Sequence, residues 1–67
     1  KKRSISISGH HTSITLEDEF WLSLKEIAKT RKISTRKLIE KIDANRQTDN
    51  LSSAIRIFVL KFYKDRL

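Results

Sequence analysis

Apolar residues along this chain fall into one alternating stretch and three stretches of helical spacing. His10–Leu16 reads HHTSITL. It alternates polar and apolar, as a strand with one buried face does. Glu17, Asp18 and Glu19 follow, and carboxylates suit the positive end of a helix dipole. Phe20, Trp21, Leu24, Ile27 and Ala28 then recur at intervals of three and four. This spacing predicts a helix over 18–31, with Lys29, Arg31 and Lys32 towards its C-terminal end. Ser34 is the predicted N-cap of a second helix. Ile33 and Leu38 are placed as its hydrophobic staple, and Leu38, Ile39 and Ile42 as its apolar face. The polar run DANRQTDN over 43–50 predicts a linker. Asn50 then caps a third helix, whose Leu51, Ala54, Ile55, Phe58, Val59, Phe62 and Tyr63 form a stripe widened by Ile57 and Leu60. The predicted class is mainly α with one short β-strand and an additional C-terminal helix. Residues 1–9 read as a basic N-terminal arm and 10–67 as one domain.

A lone strand leaves its edge groups unpaired. KKRSISIS at the start also alternates, and an intramolecular hairpin around Gly9 is one way to supply a partner. With Ser8 opposite Thr12, however, Ser6 faces Ile14 and Ser4 faces Leu16. Each face then mixes serine with apolar side chains, which defeats a one-sided ribbon. Pairing with a second copy about a two-fold axis at Ser13 keeps the faces apart. Thr12, Ile14 and Leu16 share one face; His11, Ser13 and Thr15 of both copies share the other. The pattern therefore predicts an intermolecular two-stranded antiparallel ribbon. The third helix points the same way, because it is apolar around most of its circumference and one small chain offers little to cover it. Ile14, Leu16, Phe20, Trp21, Leu24, Leu38, Ile42, Ile55 and Phe58 are the expected dimer core.

Composition sharpens this picture. A chain of 67 residues buries only about 60% of its unfolded surface. It has no cysteine, so oligomerisation is the remaining route to stability. The only histidines, His10 and His11, are neighbours that point to opposite faces of a strand. No metal or other cofactor is expected. No apolar run approaches the length of a membrane span, and a cytoplasmic, nucleoid-associated protein is expected. Fifteen Lys and Arg against eight Asp and Glu give a net charge of +7. That balance is the electrostatic footprint of nucleic-acid binding. An enzyme is not expected: the acids are explained by a helix start, and the chain is too short to enclose a pocket.

The order strand, helix, turn, helix in a basic dimer resembles the ribbon-helix-helix DNA-binding domains of the Arc and MetJ type. The residues that carry the likeness are Thr12–Glu17, then Phe20, Leu24, Ile27 and Ala28, then the turn Ile33-Ser34-Thr35. The segments RSISISGHHTSITLEDEFW, ISTRKLIEKID and NLSSAIRIFVLKFY resemble a bacterial branch of that superfamily and span nearly the whole chain. The resemblance implies a homodimer whose ribbon enters the major groove, with His11, Ser13 and Thr15 contacting bases. It also implies a phosphate at the start of the second helix, on the amides of Ser34, Thr35 and Arg36. Two departures stand out: Lys32 occupies a turn position that is often glycine, and a third helix follows a short second one.

Physical chemistry supports those roles. A two-stranded ribbon fits the B-DNA major groove, and Ser, Thr and His side chains can donate or accept at base edges. None of the three readers is Arg, so modest base specificity is expected. Helix N-termini attract phosphate, and Arg36 and Lys37 add charge there. Lys1, Lys2 and Arg3 are placed to follow the backbone as basic arms do. The expected function is sequence-specific binding of double-stranded DNA as a homodimer, two or more dimers to an operator, in a bacterial transcriptional regulator, a repressor. The alternative is an antitoxin-like interaction module whose third helix docks a protein partner.

Overall fold

The computed structural model describes residues 2–7, 9–45 and 50–66, the side chain of His10 aside. Strand β1 (Lys2–Ile7) and strand β2 (His10–Thr15) pair antiparallel. Three helices follow: α1 (Asp18–Thr30), α2 (Thr35–Asn45) and α3 (Leu51–Lys64).

The hairpin corrects the expectation of a single strand within the chain. Residues 2–7, assigned from the sequence to a basic arm, are a strand, and they supply the partner. The register sets Ile7 opposite His10, Ile5 opposite Thr12 and Arg3 opposite Ile14. It differs in parity from the hairpin that places Ser8 opposite Thr12. A one-residue slip moves every side chain of a strand to the other face. Here Ile5, Ile7 and Ile14 share the inner face, while Ser4, Ser6, His11 and Ser13 share the outer one. Only two residues, 8 and 9, connect the strands. Gly9 has φ +81, and a Cβ there would meet nothing within 4 Å. The need for glycine is therefore conformational, as in tight hairpin connections.

The helices match their sequence signals closely. α1 begins with Asp18 and Glu19 in its first turn. It ends in a Schellman turn: Ile33 N–H donates to the Ala28 carbonyl and Lys32 N–H to the Lys29 carbonyl, both at 3.0 Å. Lys32 takes the left-handed position with φ 60. Ser34 Oγ accepts from Lys37 N–H at 3.0 Å and so caps α2. Asn50 Oδ1 accepts from Ser53 N–H at 3.1 Å and caps α3. Of the linker expected over 43–50, residues 43–45 complete α2, and 46–49 lie outside the described residues.

One core runs through the hairpin and all three helices. Ile7, Ile14, Leu16, Leu24, Ile27, Ala28, Leu38, Ile39, Ile42, Ala54, Ile55 and Val59 are buried in it. Of the residues expected in a dimer core, Ile14, Leu16, Leu24, Leu38, Ile42 and Ile55 are buried within one chain; Phe20, Trp21 and Phe58 pack at its margin. α1 and α3 run side by side in the same direction. Arg56 of α3 reaches Glu17 at the start of α1, and Arg31 just past its end lies over the rings of Phe58 and Phe62. Among the described residues no helix is long and apolar enough to cross a membrane.

Candidate nucleic-acid interface

The outer face of the hairpin gathers polar side chains from both strands. Lys2 and Thr15, Ser4 and Ser13, and Ser6 and His11 lie opposite one another. All are exposed except Ser6, which is half-buried. The three residues expected to contact bases, His11, Ser13 and Thr15, thus sit side by side on one surface. Ser4 and Ser6 join them. Their alternation with Ile5 and Ile7 was the available signal, and it became informative only once the register was known.

Thr15 is held by α3. Its N–H donates to Ser52 Oγ at 3.2 Å, and its carbonyl accepts from Arg56 Nη2 at 3.2 Å. Arg56 Nε also donates to Glu17 Oε1 at 2.8 Å. The Arg56 guanidinium, with a backbone hydrogen bond at Glu17 itself, holds the Glu17 carboxyl below its usual range. Nothing in the local sequence marks Ser52 or Arg56 as neighbours of the strand, since 37 and 41 positions separate them from Thr15.

The expected phosphate ligands divide. Lys2 is exposed at the end of the outer face, and Lys1 lies outside the described residues. Arg3 belongs to the inner row. Its guanidinium lies 4.4 Å from the centre of the Trp21 ring and 3.3 Å from Asp18 Oδ1. It therefore fastens the hairpin to α1 and does not lie beside Lys2. At the start of α2, Ser34, Arg36 and Lys37 are exposed and Thr35 is half-buried. The first amides of a helix have no intrahelical acceptor; Ser34 satisfies that of Lys37, and among the described residues none accepts from those of Thr35 and Arg36. An open groove of about 800 Å³ lies beside this turn, lined in part by Leu22, Lys25, Lys29, Ser34 and Thr35. Lys25 and Lys29 are additional cations at this end that the sequence reading left out.

A family profile described as ribbon-helix-helix domain matches residues 1–63. The chain belongs to the ribbon-helix-helix family. No curated protein and no solved structure gives a match. Ribbon-helix-helix domains are non-enzymatic, DNA-binding regulators that dimerise. In this chain β1 and β2 form a hairpin, and a third helix packs against the first two.

Proposed function

We propose that this ribbon-helix-helix protein is a transcriptional regulator, a repressor, that binds specific double-stranded DNA as a homodimer. The outer face of the hairpin enters the major groove, with His11, Ser13 and Thr15 at base edges. Lys2 and the start of α2, through Ser34, Thr35, Arg36 and Lys37, take backbone phosphates, and Lys1, next to Lys2 in the sequence, adds its charge to theirs. One observation carries this reading. The hairpin separates its side chains into a mostly apolar inner face and a polar outer face, and the latter belongs to a chain of net charge +7.

Hydroxyl and imidazole groups select bases less sharply than a bidentate Arg does. Phosphate contacts then supply most of the affinity, and binding weakens as salt rises. Selection of duplexes from a random pool, followed by anisotropy titration, tests the reading. The expected result is one enriched site whose affinity falls with salt. His11→Ala or Ser13→Ala should reduce discrimination against mismatched sites while leaving the mass of the protein in solution unchanged. Binding that is absent, or insensitive to salt, would sink it.

A second reading has its own observation. Ile57, Leu60 and Tyr63 of α3 are 48%, 58% and 39% exposed. That stripe suits an antitoxin-like module that docks a protein partner. A Leu60→Glu variant that binds duplex DNA normally but loses regulation in cells would favour it.

A further inference from the structure

α3 turns one face to the core and leaves the opposite one bare. Ala54, Ile55 and Val59 are buried, whereas Ile57, Leu60, Lys61, Tyr63 and Lys64 are exposed. Helix geometry sets Ser53, Ile57, Leu60 and Lys64, at intervals of four, three and four, in one row along the bare face. Tyr63 borders the row. Beside it an open cleft of about 380 Å³ separates the ends of α1 and α3, lined in part by Ile27, Lys29, Phe62 and Arg66. The charge along this face has one sign. Residues 51–64 contain Arg56, Lys61 and Lys64 and no acid. Arg56 is occupied by Glu17 and Thr15. Among the described residues Lys61 and Lys64 make no ion pair. The nearest acids lie off the row: Glu26 lines the cleft from α1, and Asp65 follows the helix.

We propose that this face docks an acidic amphipathic helix of a partner protein. The proposal rests on the second reading above and names the chemistry of its partner; duplex binding does not depend on it. Two demands must be met together: apolar cover for Ile57 and Leu60, and negative charge for Lys61 and Lys64. A duplex meets only the second, because it offers phosphates where the isoleucine and leucine need apolar contact. A second α3 meets only the first. Neither copy of the helix has an acid to offer, so cations face cations whichever way the two run. A lipid surface takes the broad apolar side of an amphipathic helix, and that side of α3 is already buried in the core. A helix with an apolar seam and carboxylates beside it meets both demands.

The geometry also gives the partner helix a polarity. The free cations gather at the C-terminal end of α3, so the partner's acids fall where its helix passes over Lys61 and Lys64. Its apolar anchors fall over Ile57 and Leu60, and the cleft beside Tyr63 seats a large apolar side chain. One helix on one helix is a small interface of the transient kind.

The probe is a fluorescent synthetic peptide about five helical turns long. It carries leucine at intervals of three and four, with glutamate and alanine elsewhere; a counterpart carries lysine for glutamate. Anisotropy titration with the full chain should give micromolar binding of the acidic peptide and none of the basic one. Leu60→Ser removes an anchor and keeps the charge, and it should weaken binding about tenfold. Lys61→Glu with Lys64→Glu keeps the anchors. It should weaken the acidic peptide to a similar degree and let the basic one bind. These positions are exposed, so the circular dichroism spectra should match wild type. If a variant unfolds, peptide-induced NMR shifts in the wild type decide alone, and they should centre on Ile57, Leu60 and Lys64. An acidic peptide that fails to bind at millimolar concentration overturns the proposal. So does one that binds Leu60→Ser unchanged, or that shifts the hairpin or α2 instead. A wild-type mass in sedimentation that halves in Leu60→Ser gives the face to a second copy and overturns it too. Flotation with phosphatidylglycerol vesicles that Leu60→Ser abolishes gives it to lipid, with the same consequence. Preference for the basic peptide removes the acidic partner alone; failure of the docking reading itself is seen separately, in normal regulation by Leu60→Glu in cells.

Discussion

Arg56 ties three parts of the molecule together with one guanidinium. It donates to the carbonyl of Thr15 on the ribbon and to the carboxylate of Glu17 ahead of α1, from a helix far along the chain. Its effect on Glu17 has a definite sign. The folded carboxyl titrates below the usual value of 4.5. The stabilisation is therefore fully present above that value and is lost as pH falls through the folded one. In Arg56→Leu, the melting temperature should be lower than wild type at neutral pH, and the gap should narrow in acid; thermal melts across the acid range check this. Lys32 is a residue under local strain. A side chain in the left-handed region costs about 1–2 kcal/mol, and glycine at that position costs about 0.5–1 kcal/mol of chain entropy. Lys32→Gly should therefore stabilise by about 0.5 kcal/mol net in denaturant titration.

At the scale of elements, α2 and α3 each depend on a cap visible in the sequence. Ser34 satisfies the Lys37 amide and Asn50 the Ser53 amide. Asn50→Ala should cost about 1 kcal/mol by chemical denaturation, with Asn50→Asp retaining most of the stability. The hairpin depends on its register, which the two-residue connection and Gly9 set together. Gly9→Ala forces a Cβ into a left-handed conformation and should cost about 1 kcal/mol, although there is space for the methyl group. A loss of that size in β-ribbon stability should be visible as faster amide exchange at Ile5 and Thr12, ahead of the helices.

For the whole molecule, the closed core matters most. Hairpin and helices bury one continuous set of apolar side chains, with Leu16, Leu24, Ile39 and Ile55 at 0% exposure. Leu24→Ala should cost about 2–5 kcal/mol. A domain this small is marginal, so that loss should abolish cooperative unfolding at physiological temperature, as calorimetry would show. The Trp21 face covered by Arg3 is a second fastening of ribbon to helices, at 4.4 Å. Arg3→Ser removes that fastening without opening the core, so it should loosen the hairpin more than it weakens phosphate binding. Slopes of DNA affinity against salt, compared between Arg3→Ser and Lys2→Ser, separate the two roles: Lys2→Ser should reduce the slope by about one unit and Arg3→Ser by less.

The sequence by itself determined the helices, their caps and the polar strand face. All of these depend on residues within a few positions of one another: Ser34 with Lys37, Asn50 with Ser53, Ile14 alternating with Ser13 and Thr15. It also carried the family likeness through the linear pattern. Only the tertiary structure decided which strand partners β2, because two registers of opposite parity use the same alternation and differ in which face each isoleucine takes. It likewise decided that Arg3 lies on Trp21 and that Ser52 and Arg56 close the ribbon edge at Thr15. Those contacts join residues far apart in the chain, and no local periodicity encodes which distant side chain meets a given backbone group.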